Sequence, residues 1–307
     1  MDLQRRPPNL KPLRILVTGG NGFLGRHLRD FLTTRGHTVR SLGRRPGDPE
    51  DLVWDPEAGR IPGAELKVFD AVIHLAGENL AAQRWTPDFR ERLRRSRIDS
   101  TRLLAETLAR LDGPPGVLVT ASGINAYPAD GRLHEEDGPA GQGFLAALCR
   151  DWEAAAWPAR AAGWRVVHAR LAAVLSPDSG ALAKLLPVFR SGLGGPVGSG
   201  RQHFSWIALD DALEALAWCA ERSELCGPVN LVSPEVVSQA TFAQTLGRVL
   251  RRPAVLPTPA WAVRAALGPM ADETVLADLA AAPGRLRQAG YGFRYPMLED
   301  ALRHLLE

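Results

Sequence analysis

Lysine is almost missing from this chain: of 307 residues only Lys11, Lys67 and Lys184 supply it. Positive charge rests instead on arginine spread over helix faces, with no basic block. A net charge of +3 and a pI near 9.0 on that basis give little footing for nucleic acid. Cysteine is equally scarce. Cys149, Cys219 and Cys226 form no C-x-x-C pair and show no metal-ligand spacing with the seven histidines. That excludes a disulfide framework and a metal site, and leaves three reduced, mostly buried thiols. No apolar run is long enough to span a bilayer. The opening MDLQRRPPNLKP lacks the apolar core of a signal peptide, so the expected compartment is the cytoplasm. Paired carboxylates at glycosidase spacing are missing as well, as is a readable Ser-His-Asp arrangement.

What is present is a composition of 45% hydrophobic and 23% charged residues, enough for one large α/β unit or two modest domains with real cores. The apolar run LRILVT is followed by a Gly-rich turn and by FLGRHLRDFLTTRG, whose Phe23, Leu24, Leu28, Phe31 and Leu32 recur at helical spacing. Further strand-like runs at HTVRSL, LVW, FDAVIHLAG, GVLVTAS, WRVVHARL and GPVNLV alternate with helical stretches, one of them long and Arg-rich from about Asp88 to Leu111. The alternation predicts an α/β fold: a doubly wound parallel sheet of the Rossmann type with right-handed crossovers. Residues 1–12 are expected to be flexible. Residues 13–172 form the dinucleotide-binding domain, with 203–232 returning to it through a helix capped by Asp210 or Asp211. Residues 173–202 and 233–307 form a smaller C-terminal α/β domain on the substrate side, rich in short helices and Pro-bearing turns.

The strongest chemical signal is VTGGNGFLG. Gly19, Gly22 and Gly25 stand between a predicted strand and a predicted helix, and small residues there let the backbone approach a pyrophosphate. Phe23 and Leu24 open the helix, whose N-terminal N–H groups and dipole favour an anion. At the end of the second strand a carboxylate would hold a ribose 2′-hydroxyl, but the chain has Gly43 and Arg44 there. An arginine suits a 2′-phosphate, so the cofactor expected is NADP(H); a solvated loop arginine is the alternative. Leu75, Ala76 and Gly77 end the fourth strand with residues against which a dinucleotide can lie, or simply as a buried strand end. Arg90, Arg94 and Arg97 share one helix face.

These motifs, together with SR at Ser96 and Arg97, PVFRSGLGGPVGSGRQHFSWIALDD, GPVNLVSP and AGYGFRYPMLEDAL, resemble the epimerase-like branch of the extended short-chain dehydrogenase/reductase superfamily. The likeness runs from about Leu13 to Leu306. It is nearest the group described as nucleoside-diphosphate-sugar epimerase-like or cell-division-inhibitor-like. The resemblance implies NADP(H) held by the glycine loop, Gly43 and Arg44, Leu75 and Ala76, Arg97, and a backbone position near Val174. It also implies a small-molecule substrate of nucleotide-sugar character.

That superfamily moves its proton with a tyrosine, and a lysine four residues later lowers the phenol's pKa from about 10. On GFLAALCRDWEAAAW, with Glu153 as the acidic landmark, those positions are Leu145 and Cys149. None of the three tyrosines, Tyr127, Tyr291 and Tyr295, has a lysine four residues on, so the pair is absent. The resemblance puts Ser122 at the hydroxyl position of the preceding strand, with Tyr127 following on the same loop. Tyr127 is a candidate proton carrier or a packing residue at the domain junction. Cys149 reads as a small core residue rather than a nucleophile. Arg201 and His203 are substrate-side candidates, or members of an interdomain loop, while Trp206 and Ile207 belong to the core. Three readings remain: an NADP-dependent oxidoreductase or epimerase-like enzyme with a non-standard proton donor; an NADP(H)-binding protein that acts through a protein partner, in line with the division-related label; and a structural relic without cofactor, against which the intact glycine loop and Arg44 argue.

Overall fold

The computed structural model describes residues 11–307, so most of the segment expected to be flexible, 1–12, lies outside the described residues. Seven of the apolar runs line up as parallel strands: β1 (Arg14–Thr18), β2 (Thr38–Gly43), β3 (Leu52–Val53), β4 (Ala71–His74), β5 (Val117–Gly123), β6 (Arg165–Leu171) and β7 (Gly227–Leu231). Their spatial order is β3-β2-β1-β4-β5-β6-β7. The chain builds outward from β1 to β3, then crosses back to β4. The strand order therefore reverses between β1 and β4, and a crevice opens beyond their carboxyl ends.

Side-chain alternation along the strands feeds two cores. Ile15 and Val17 of β1 point to the face covered by α1 (Phe23–Thr34) and by a helix at Leu209–Glu221, through Leu28, Leu32, Leu213 and Leu216. Leu16 points to the other face, with Leu104 and Leu108 of α2 (Pro87–Ala109) and with Trp164. The Thr86 hydroxyl caps α2 by accepting the Phe89 N–H at 3.2 Å, and proline at the first helical position completes that start. The helix that follows β5, α3 (Phe144–Ala154), stops earlier than its alanine-rich sequence suggests, and a short helix at Trp157–Ala161 resumes after it.

A third apolar cluster lies off the sheet and joins the helices Gly180–Arg190, Gln239–Leu250 and Leu298–Leu306 through Leu186, Phe189, Phe242, Leu246 and Leu302. The strand Trp206–Ala208 ties it to the main core. Trp206 and Ile207 are both fully buried, Trp206 in this cluster and Ile207 in the first sheet core. One expectation is corrected here: neither Asp210 nor Asp211 caps the helix Leu209–Glu221, whose N-cap is Ala208. Asp211 sits inside the first turn and is 1% exposed. It accepts the backbone N–H groups of Arg294 and Tyr295 at 2.7 and 2.9 Å, fastening the GYGFRYP segment to that helix. No helix of the described residues is long and apolar enough to cross a membrane.

Candidate functional site

The turn after β1 has the shape its glycines predict. Gly19 takes φ +70°, and a Cβ there would stand 2.8 Å from the Leu75 carbonyl carbon, so the turn is pressed against the end of β4. A Cβ on Gly25 would fall 2.2 Å from the Gly19 oxygen. Gly22 differs: its Cβ would meet only the Gly19 oxygen, at 3.1 Å, and otherwise project into open space. Gly22 is also the N-cap of α1, no side chain caps it, and no acidic residue occupies the first turn. The amides beginning at Phe23 and Leu24 therefore face an open cradle at the positive end of the helix dipole, the setting a pyrophosphate needs.

Beside it, Thr18 bonds across to β4. Its hydroxyl lies 2.6 Å from His74 Nδ1 and accepts the Ala76 N–H at 3.2 Å, while the Thr18 carbonyl accepts the Leu75 N–H at 3.2 Å. Complete burial pushes the His74 pKa down to about 3, so this histidine is a neutral structural partner. At Gly77 a Cβ would lie 3.4 Å from the Arg97 guanidinium carbon. Glycine turn, Leu75, Ala76, Gly77 and Arg97 thus form one continuous surface. Arg97 is only 8% exposed. Its polar partners among the described residues are the Glu78 carbonyl at 2.8 Å, the Leu93 carbonyl at 3.3 Å and the Ser96 hydroxyl at 3.5 Å. Burial lowers its pKa to about 10, and the guanidinium still carries its charge at neutral pH. A buried cation with neutral partners is poised for an anion.

At the end of β2, Gly43 is half-buried and Arg44 and Arg45 are exposed. The nearby ion pairs, Arg29 with Asp48 and Asp51, leave both arginines out. Val174 is half-buried on the short strand Ala173–Leu175, opposite Ile207, and packs against the first sheet core.

The hydride-transfer side looks different. Ser122 is 5% exposed, and its hydroxyl donates to Glu153 Oε1 at 2.7 Å. Arg170 on β6 grips the same carboxylate with Nε and Nη2, each at 2.8 Å. Burial alone would raise the Glu153 pKa, but the Arg170 bonds and charge win and hold the carboxyl below its usual range. Tyr127 is 2% exposed and donates its hydroxyl to Asn230 Oδ1 at 2.8 Å. Its ring is sandwiched, with His134 stacked 5.5 Å away and the Arg170 guanidinium 4.9 Å from the centroid. Burial raises its pKa further above 10. Leu145 and Cys149 are 3% and 5% exposed. Burial, with the Glu153 charge, pushes the Cys149 thiol up to about 11, so it stays protonated at neutral pH.

The sequence reading missed the residues that fix this region. Glu273, from the C-terminal part of the chain, caps α3 by accepting the Phe144 and Leu145 N–H groups at 3.2 and 2.6 Å. Asn125 Nδ2 donates to the Glu273 carbonyl at 2.9 Å. Arg170 could have been suspected only as one charge in a strand that also carries Arg165 and His168. His203 pairs with Asp278, Nδ1 to Oδ1 at 2.7 Å, while Arg201 is exposed. Among the described residues no hydrogen bond or ion pair joins these two to Ser122 or Tyr127.

A model of the NAD dependent epimerase/dehydratase family matches residues 15–231, and a domain of unknown function, DUF1731, matches residues 258–305. The chain is 41% identical over 290 residues to the epimerase family protein Mb2239 of Mycobacterium bovis, an alignment covering 94% of this chain and 96% of that one. A crystal structure of human epimerase family protein SDR39U1, isoform 2, with NADPH superposes with a TM-score of 0.87 at 35% identity, covering 95% of this chain and 98% of the human one. A nucleoside-diphosphate sugar epimerase from Corynebacterium glutamicum gives 0.80 at 32% identity, over 96% of this chain and 58% of its own.

Proposed function

The chain belongs to the NAD dependent epimerase/dehydratase family, and from that premise we propose that it is an NADP(H)-binding protein whose standard proton-transfer machinery is gone. The observation that carries this reading is the contrast between the two halves of the site. The open cradle at Gly22, Arg44 with no ion pair among the described residues, and the buried Arg97 are fitted to a dinucleotide phosphate. The candidates for moving a proton are all committed elsewhere. Ser122 donates its hydrogen bond to Glu153, Tyr127 is walled in, and Cys149 is a buried thiol. The human relative crystallised with NADPH supports the cofactor assignment. NADP(H) supplies or accepts a hydride when bound. The pyrophosphate would be held by the amides of Phe23 and Leu24, with Gly22 leaving room for its approach while its own N–H bonds to the Gly19 carbonyl; Arg44 would meet the 2′-phosphate, and Leu75, Ala76 and Gly77 the face of the dinucleotide. Val174 would close the far side.

On this reading residues 173–202 and 233–307 form the substrate-side wall, and Glu273 latches that wall onto α3. The protein works in the cytoplasm, with cofactor occupancy as its signal to a protein partner. A second reading, a slow oxidoreductase or epimerase acting on a nucleotide-sugar-like substrate, is favoured by one observation. Ser122 is hydrogen-bonded to a carboxylate at 2.7 Å, a route by which a hydroxyl can pass on a proton. Calorimetric titration with NADPH and NADH, followed by NADPH oxidation against a panel of carbonyl substrates including nucleotide sugars, tests both. Tight NADPH binding without turnover is the expected result. Turnover that Ser122→Ala abolishes would replace the first reading by the second, and equal affinity for the two cofactors would remove the role given to Arg44.

A further inference from the structure

The loop that carries Arg44 and Arg45 is exposed from Arg44 through Glu50, yet one buried carboxylate organises it. Asp51, its side chain 3% exposed, accepts the Ser41 N–H through Oδ1 at 2.9 Å and the Gly47 and Asp48 N–H groups through Oδ2 at 2.9 and 3.0 Å. Ser41 lies within β2 and Gly47 follows the two arginines, so a single side chain staples the loop's return to the strand it left. Arg29 of α1 stands 3.8 Å from the same carboxylate and also pairs with Asp48, which connects the staple to the helix that begins at the glycine turn. Arg29 offsets part of the Asp51 charge while sharing its single positive charge with Asp48. Burial pushes against ionisation here, but the three backbone N–H bonds and Arg29 outweigh it and hold the carboxyl below its usual range.

We propose that Asp51 is the positioning residue for cofactor selection: it holds the 44–50 loop so that Arg44, with Arg45 beside it, stands preorganised at the end of β2 for a 2′-phosphate. Asp51 itself touches no cofactor atom. A flexible arginine loses side-chain and loop entropy on binding, and a loop fixed beforehand avoids most of the loop's share. The selectivity for a 2′-phosphate therefore depends on this acid as well as on the arginines. The inference rests on the NADP(H) reading above.

The test uses two fragments that differ only at the adenine end, 2′,5′-ADP and 5′-AMP, titrated calorimetrically into the full-length protein and its Asp51→Asn, Asp51→Ala and Arg44→Ala variants. The unmodified protein is expected to prefer 2′,5′-ADP. Asp51→Asn is expected to cut that preference about tenfold while 5′-AMP binding stays within twofold, because only the loop has been loosened. Amide exchange at Gly47 and Asp48 in the same variant reports the loosening directly. A preference left intact in Asp51→Asn despite faster exchange overturns the proposal, as does an equal loss of both ligands, which is the mark of a merely structural role. Should Asp51→Ala fail to fold, the isosteric Asn variant carries the comparison. If the unmodified protein shows no preference, the Arg44 reading falls first and this one with it. A preference lost in Arg44→Ala but not in Asp51→Asn sinks only the positioning role.

Discussion

Replacing Glu153 by glutamine is the perturbation that best separates structure from chemistry at the Ser122 site. The carboxylate and its partner Arg170 keep only 14% and 13% of their side-chain exposure, so the ion pair is largely out of water. Breaking such a pair from one side costs about 3–5 kcal/mol because a buried charge is left behind. Glutamine conserves volume and still accepts from Ser122, and Arg170 retains its stack on Tyr127, so the low end, about 3 kcal/mol, is expected. For a chain of this size that lowers the thermal midpoint by about 5 °C. Removing both charges in Glu153→Gln with Arg170→Met should recover much of the loss, since neutral isosteres at a buried pair are close to neutral in effect. The sign of the pH dependence follows from the depressed folded-state pKa. The pair's contribution is complete above the unfolded-state value for a glutamate and disappears as pH falls through the lower folded value, so the penalty of Glu153→Gln shrinks in acid. Thermal denaturation of the single and double variants at neutral and acidic pH checks this. A double variant no more stable than the single one would refute the argument from unpaired charge.

Gly22→Val should abolish dinucleotide binding while the thermal midpoint of the free protein moves little, because the new side chain projects into the cradle and meets almost nothing of the protein; binding at unchanged affinity would reduce the loop to a turn. Tyr127→Phe leaves the fully buried Asn230 oxygen without its donor and should cost about 1–3 kcal/mol in denaturant titrations. Any residual turnover should be unaffected, and a loss on the order of a hundredfold would restore the phenol as proton carrier. Glu273→Ala removes the acceptor for two amides at the start of α3, a loss of about 0.5–2 kcal/mol. It should also speed amide exchange at Phe144 and Leu145; unchanged exchange there would mean the cap carries no weight.

The fold was legible because its signals are local. Each strand is a short apolar run, each crossover helix has its own period, and the glycine turn is written in nine consecutive residues. Where two local signals competed, long-range contacts decided. Asp211 has the residue type and place of a cap, but it is spent on the backbone of Arg294 and Tyr295, more than eighty positions away. The proton-transfer region was legible only in the negative, through the missing tyrosine and lysine. What replaces them is assembled from distance. Ser122 meets Glu153 across 31 positions, Glu153 meets Arg170 across 17, and Glu273 reaches α3 across 128 and 129. An aspartate such as Asp51, in a stretch of exposed polar residues, reads as surface until its three amide donors are seen.

Why should a cofactor seat persist where the tyrosine and lysine pair is missing? The seat is built from main chain: a glycine turn, the free amides of a helix start and the carboxyl ends of two strands, none of which depends on which side chains α3 displays. The superfamily's tyrosine and lysine lie on one helix, so two substitutions remove that pair without disturbing the seat. The replacements are not idle, however. Leu145 joins a buried apolar cluster with Trp85, Phe89 and Leu148, and Cys149 fills space beside Ser122 and Gly123. A lysine at position 149 would set a second cation near Arg97, which is already buried without a carboxylate partner among the described residues. Glu153, whose charge also reaches position 149, is already gripped by Arg170, so the added lysine finds no free carboxylate and is disfavoured beside Arg97. Reinstalling the pair by Leu145→Tyr with Cys149→Lys is therefore expected to destabilise the protein unless Arg97 is neutralised as well, and a triple variant carrying Arg97→Met should be the more stable of the two. Equal thermal midpoints for the double and triple variants would show that Arg97 and position 149 do not compete for one place.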